Sequence, residues 1–442
     1  MRFRQAAIAA VLMLPCLIAC TPASAGTPPP QESSPSSRPP SATLTLEDAY
    51  ARVARAHPEL RLFGARQEIL LAELDEARLR PPLQLGLEIE DALGSGEARG
   101  FDRATATLGL AGVFERGGKL DARRVLAQSR IDALAVQRET RRLDLLAEVA
   151  RRWLAAQAAL AGAAISRDDI AQRKRAVAAS RQRLEAGASP ESVLLTAQAA
   201  LAKAELSLVR AGRQAEAARR ALAALWGERD PEFELAGVNL LVLPGISSMD
   251  ELAALLRESP ELVQMIDERR IIEARLQLAR SEATPDLDWQ LGVRWSQEGD
   301  DASLVGSVSL PLGGGRRAQP RIRAGEAELA ALDLEREGRD VALYATLAEA
   351  HGRYRVAQLE VERTRDEILP RLNRAGQAAE RAYRAGATSY LEWSQLQADA
   401  TDARRRQLDA ALEARRALIE LQRLTGAPLL ADAAAETQGI QP

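Results

Sequence analysis

The sequence predicts a mainly α protein with a transmembrane β-barrel portion, built from a helix–hairpin–long helix–helix unit that is written twice. Three observations predict it: punctuation that repeats along the chain, helical stretches far longer than a globular core needs, and two hairpins whose apolar rows carry no charge. Self-similarity at a fixed offset is the mark of a duplicated architecture. "EAGASPESVLLTAQA" (Glu185–Ala199) returns as "RAGATSYLEWSQLQA" (Arg384–Ala398), each with Gln eleven residues after the Gly, at Gln198 and Gln397. "HPEL" (His57–Leu60) returns as "SPEL" (Ser259–Leu262), and "RGGK" (Arg116–Lys119) as "GGGR" (Gly313–Arg316). Gly187 to Gly227 spans 40 residues, as does Gly386 to Gly426, so those arms align without a gap.

The elements follow in order. Arg2 and Arg4, then an apolar run to Ile18, read as an export signal over residues 1–19. "LIAC" (Leu17–Cys20) fits a lipobox with Cys20 as the lipidated residue, while "ASA" (Ala23–Ala25) offers an ordinary cleavage site. Both cysteines, Cys16 and Cys20, lie in this segment, so the mature body has neither disulfide nor thiolate ligand. Residues 20–43, dense in Pro and Ser, cannot build a core and read as a tether. The first repeat is expected over 44–228, with a hairpin at 83–113 and helices over 119–226. A connector follows at 229–249, then the second repeat over 250–428, with a hairpin at 286–312 and helices over 317–425, and a tail at 429–442.

Leu120 to Leu184 contains no Pro and one Gly, so it reads as a rod of about 98 Å at 1.5 Å per residue. Arg321 to Ala385 is expected to match it in length and to bend at Pro370. In the first rod Leu143, Ala150 and Gln157 interleave with Leu146, Trp153 and Leu160 at heptad spacing.

Each hairpin alternates cleanly. Leu83, Leu85, Leu87 and Ile89 oppose Gln84, Glu88 and Glu90, and Leu287, Trp289, Leu291, Val293 and Trp295 oppose Asp288, Gln290 and Arg294. On the return strands Ala106, Leu108 and Leu110, and Leu304, Val308, Leu310 and Leu312, make the matching outward rows. Charge confined to one row, and strands near the length that crosses a tilted bilayer, favour a lipid-facing row over a half-buried soluble sheet. Four strands cannot close a barrel, and hydrocarbon tolerates no open edge, so the chain must pool its strands with copies of itself; three copies would give twelve strands.

With these features in place, residues from about 44 to 428 resemble the TolC-like outer-membrane efflux family, and "PPLQLGLEIED" through "VFERGGK" (Pro81–Lys119) resembles its CzcC-like branch, which exports heavy-metal cations. The resemblance implies a homotrimer whose 12-stranded barrel continues as a 12-helix periplasmic α-barrel. It implies a passive exit duct in a tripartite system, with a periplasmic adaptor and an inner-membrane RND-type pump as partners. The two Gly motifs are then the periplasmic helix tips, where Leu184, Gly187, Ala188 and Ser189, and Arg384, Gly386, Ala387 and Thr388, would meet the adaptor. Glu392, six residues past the second tip Gly, and Gln395, nine past it, would stand at a constricted gate; the first half has Val193 at the former place. The alternatives are a multidrug or type I secretion duct, or a soluble periplasmic coiled-coil lipoprotein.

Catalytic and cofactor chemistry is not written here. His57 and His351 are the only histidines and sit at no ligand spacing, so no metal site is expected on the chain even if metal is its cargo. His57 before Pro58 reads as a cap. Gly313–Gly315 lack the GK[ST] ending of a phosphate loop. A net charge of -3, or -5 once the two Arg of residues 1–19 are removed, gives no footing for nucleic acid.

Overall fold

The computed structural model describes residues 43–96 and 99–426. Cys20, the expected signal and most of the tether, and the tail at 429–442 lie outside the described residues. A two-residue strand β1 (Thr43–Leu44) leads to helices α1 (Leu46–Ala56) and α2 (Pro58–Ala77), then strands β2 (Gln84–Glu90) and β3 (Thr105–Phe114). The first rod is α3 (Lys119–Glu185), returned by α4 (Glu191–Ala223). Strand β4 (Glu234–Leu235) lies in the connector. The second unit has α5 (Met249–Leu256), α6 (Pro260–Ser281), β5 (Leu287–Ser296), β6 (Asp301–Ser309), a rod formed by α7 (Gly314–Arg363), a π turn (Thr364–Ile368) and α8 (Leu369–Arg384), and the return α9 (Tyr390–Thr425).

The repeated "PEL" is a helix start. His57 Nδ1 accepts from the Glu59 N–H at 3.3 Å and Ser259 Oγ from the Leu262 N–H at 3.3 Å, with Pro at the first helical position each time. Each motif's Glu then reaches a rod or its return: Glu59 pairs with Arg141 on α3, and Glu261 with Arg423 on α9 at 2.8 Å. The same words thus tie each short helix to the long ones.

The rods differ from expectation in three ways. The second rod, Gly314–Arg384, is longer than Lys119–Glu185. Just upstream of Pro370, where a bend is expected, it takes a π turn. The buried stripe of α3 is broader than a heptad seam, taking in Leu145, Val149 and Ala156 beside Trp153 and Gln157, while Leu160 is 43% exposed. The breadth follows from neighbours on several sides, since α1, α4 and α9 all pack on α3.

The connector wraps across the bundle. β1 and β4 pair in parallel, and the main core packs Leu44, Val53, Val149, Trp153, Leu222, Phe233 and Leu240 together. Gln157 Nε2 donates to the Ala236 carbonyl at 2.5 Å, Arg415 donates to the carbonyls of Asn239, Leu240 and Val242 at 2.8–3.2 Å, and the Tyr354 hydroxyl donates to the Pro244 carbonyl. α3, α9 and α7 are thereby strapped on one side.

The four long strands form one antiparallel sheet in the order β2-β3-β5-β6, so the two repeats join through β3 and β5 and the edges are β2 and β6.

Candidate functional site

Two places concentrate features that packing alone does not require: the sheet and the paired helix tips. In the sheet, register decides everything. Leu85, Leu110, Leu291 and Gly306 stand side by side across the four strands, as do Leu87, Leu108, Val293 and Leu304, and then Ile89, Ala106, Trp295 and Ala302. Trp289 and Val308 continue the same face, on which the Trp289 ring and Leu83 lie over the bare Cα of Gly112. Leu287 pairs with Phe114 at its lower end. The opposite face carries Gln84, Glu88, Glu90, Thr107, Asp288, Gln290, Arg294 and Asp301. Within it Arg294 bonds Glu90 at 3.2 Å and donates to Thr107 Oγ1 at 3.1 Å.

Leu85, Leu87, Ile89, Leu108, Leu291 and Val308 are all more than half exposed in the single chain. Water does not welcome such a face, whereas a bilayer does. Leu83 and Leu310 are corrected to positions one residue outside β2 and β6. Pro82 and Pro311 flank them, and a proline offers no N–H to a ladder.

At the tips, each rod ends in the same device. Gly187 takes φ 70° and Gly386 φ 83°, the left-handed conformation that a Cβ disfavours. Gly187 N–H donates to the Leu184 carbonyl at 2.9 Å and Ala188 N–H to the Arg183 carbonyl at 2.8 Å; Gly386 N–H donates to Tyr383 at 3.0 Å and Ala387 N–H to Ala382 at 2.8 Å. Both are Schellman closures. Gly187, Ala188, Arg384, Gly386 and Ala387 are exposed, while Leu184, Ser189 and Thr388 are half-buried.

The tips are packed against each other. Ala176, Ala179 and Ala197 of α3 and α4 enclose, with Ala379, the rings of Tyr383, Tyr390 and Trp393 of α8 and α9. Tyr383 and Trp393 have ring centroids 5.2 Å apart, and Tyr390 stands edge-on to Trp393 at 6.4 Å. Val193 packs on this cluster, which accounts for an apolar residue where the other half has Glu392. Arg183 joins the two: Nη1 donates to the Tyr383 carbonyl at 2.6 Å and Nη2 to the Ala188 carbonyl at 3.1 Å.

Behind the rings, the seam between α3 and α9 is polar. Arg173 and Asp169 form a buried pair at 3.1 Å, and Thr401 Oγ1 donates to Asp169 at 3.3 Å. Gln397 is buried in this seam with its Oε1 unpaired, whereas Gln198 is exposed. Tyr390 keeps a buried hydroxyl without a partner, and burial pushes its pKa up against the opposing pull of Arg173.

Glu392 is exposed and its carboxylate accepts from the Thr388 hydroxyl, while its N–H donates to Ser389 Oγ at 3.2 Å. Gln395 donates to Asp399 at 2.8 Å. Both sit on the exposed side of the second tip. Sequence reasoning missed Arg183, Tyr383, Tyr390 and Trp393. Their signal was available: in a chain with 3% aromatics, three of them flank one Gly motif and none flanks the other. Among the described residues no three His, Cys, Asp or Glu side chains converge as metal ligands would.

Comparison with known proteins follows the same division into halves. The profile of the outer membrane efflux protein family matches residues 49–228 and 252–427. The cobalt-zinc-cadmium resistance protein CzcC of Cupriavidus metallidurans is 25% identical over 383 residues, covering 87% of this chain and 90% of its own length. The nickel-cobalt-cadmium resistance protein NccC of Alcaligenes xylosoxydans xylosoxydans is 25% identical over 256 residues, 56% of this chain and 57% of that one. Among solved structures CusC superposes with a TM-score of 0.73 at 16% identity, covering 87% of this chain and 92% of that one; this likeness speaks to the fold.

Proposed function

The chain belongs to the outer membrane efflux protein family, and from that membership we propose that three copies form the exit duct of a tripartite pump that expels heavy-metal cations. The observation that carries the reading is the four-stranded sheet with an in-register apolar face and free edges at β2 and β6. An open edge costs several kcal/mol per unpaired peptide group in hydrocarbon, of order 3 or more, so β6 of one copy must pair with β2 of the next until the ring closes. Three sheets of four close at twelve strands. Apolar side chains left uncovered on the helices, Leu195, Leu206 and Val209 on α4 and Leu334, Val341, Val356 and Leu359 on α7, support the same neighbours below the membrane.

The duct has no catalytic step. Its strands would hold Leu85, Leu87, Ile89, Leu108, Leu110, Leu287, Trp289, Leu291, Val293, Trp295 and Val308 towards lipid, with Leu83 and Leu310 just outside the strand ends, and pass solute along the polar face. Leu184, Gly187, Ala188, Ser189, Arg384, Gly386, Ala387 and Thr388 would receive an adaptor that links the tips to an inner-membrane RND-type transporter, and Cys20 would carry the lipid anchor. Glu392 and Gln395 would line the periplasmic gate; unchanged conductance and ion preference in Glu392→Ala would remove that role. Metal as cargo is supported by the cation-resistance relatives. Deletion followed by growth on metal salts and on organic toxicants tests the cargo: sensitivity to cobalt, zinc or cadmium alone is expected, and equal sensitivity to both classes overturns it. Extraction tests the barrel, because a soluble scaffold would leave the membrane without detergent once its lipid was cut.

A further inference from the structure

Among the described residues one π turn interrupts the rods, at Thr364–Ile368 between α7 and α8. Its last N–H, on Leu369, reaches back five residues to the Thr364 carbonyl. Pro370 explains why it is there. Inside a regular helix a proline has no N–H to give and its ring presses on the carbonyl four residues back, here Asp366, in the middle of the widened turn. A π turn absorbs one extra residue, so that the helix beyond it keeps the face it would have had without the insertion.

The last turn of α7, which leads into the π turn, is held from outside its own helix. The Val361 carbonyl accepts from the Thr364 N–H and also from Nε2 of Gln407 on α9, at 3.1 Å. Val361, Thr364 and Gln407 are 1%, 4% and 4% exposed, so water does not compete for this carbonyl. The surrounding seam is otherwise apolar, with Ala410 and Ala411 against Val361. Leaving either partner unpaired in such a seam is costly. On the exposed side Glu367 pairs with Arg363 and with Arg371 at 3.4 Å, spanning the same turn.

We propose that Gln407 is a positioning residue for the second tip. By holding the π turn it fixes the rotational phase of α8, and so presents the Tyr383 carbonyl and ring to Arg183 of the first tip, about 30 Å along the helix at 1.5 Å per residue. Without the latch the Pro370 ring alone opposes the entry of the extra residue into the regular ladder. That entry turns α8 by about 100°, one residue's share of a 3.6-residue turn, and carries Tyr383 out of the seam.

Hydrogen exchange on the full-length protein in detergent tests this. Gln407→Leu keeps the volume and removes the donor; amides of residues 382–387 are expected to exchange at least tenfold faster, with α3 unchanged. A triple variant that also deletes Arg365 and carries Pro370→Ala removes the surplus residue and the reason for the π turn, and is expected to restore protection despite the lost amide. Tip exchange in Gln407→Leu equal to the parent overturns the proposal. So does acceleration spread evenly over α7, α8 and α9, or failure of the folded triple variant to recover. The functional consequence rests on the conduit reading: Gln407→Leu should raise conductance in planar bilayers at least twofold, and the parent's conductance with the variant overturns that consequence. A parent that conducts nothing would undo the conduit reading and leave the exchange result standing.

Discussion

Arg183 lays its guanidinium over the Tyr383 ring at 5.1 Å and donates to the Tyr383 carbonyl at 2.6 Å, so one side chain of the first tip closes the C-terminal end of α8 in the second. The contact combines a cation over a π face with a charge at the negative end of a helix. Removing the guanidinium strips both at once. Arg183→Ala is therefore expected to weaken the tip by about 1.5–3 kcal/mol, the usual range for a hydrogen bond to a charged group. Limited trypsin cleavage at Arg381 and Arg384 should speed up tenfold or more, while cleavage at the exposed Arg167, far back along α3, stays at the parent's rate.

The glycines of the two tips should not be equally replaceable. Both hold positive φ, which costs an L side chain about 1–2 kcal/mol. A Cβ on Gly187 meets open space, whereas one on Gly386 comes to 3.3 Å from Arg183 Nη1. Gly386→Ala is expected to be the more damaging, and to lose its excess in an Arg183→Ala background. Thermal melts of the two single variants and the double variant measure the coupling.

Acid stability is set by carboxylates paired with rod arginines. The hydrogen bond from Arg141 holds Glu59 below its ordinary 4.5, and that from Arg142 does so for Glu139. Glu148 is pushed up by burial but ends below 4.5 because Arg152 and Arg151 outweigh it. A carboxyl depressed in the folded state contributes stability above its unfolded pKa and loses it as pH falls through the folded one. The melting temperature should therefore be flat from neutrality to about pH 5 and fall below 4.5, and Arg141→Met should shallow the acid limb.

Much of this was legible because it is local. Period-two alternation gave the strands and their apolar row, unbroken helical composition gave the rods, and Gly after each rod gave the turns. Contacts between distant residues were not. Arg423 bridging Asp144 and Glu261, the parallel pairing of β1 with β4, and Arg183 at Tyr383 each join segments more than 160 residues apart, which no local pattern encodes. Pro370 announced a disturbance in the second rod, but its form depends on Gln407 across the seam. Leu160 fitted the heptad and is exposed, because which side of α3 is covered depends on how its neighbours are arranged.

The two faces of the sheet should answer a charge in opposite ways. Leu291 stands mid-strand between Leu110 and Gly306 on the apolar face, 62% exposed in the single chain, and Gln290 stands beside it on the polar face between Ala111 and Ser307. If the apolar face meets lipid, Leu291→Arg sets a guanidinium near the bilayer midplane at about 2–4 kcal/mol for each copy. In the proposed trimer three copies carry that burden, and the loss is expected at assembly. Gln290→Arg places the same charge towards water, where Arg294 already sits, and should assemble as the parent does. Heat-modifiable mobility of outer-membrane fractions reads the proposed trimer directly. Leu291→Arg is expected to deplete the trimer at least tenfold while Gln290→Arg leaves it intact. Equal assembly of both would mean that neither face touches hydrocarbon, and the sheet would then be a soluble one.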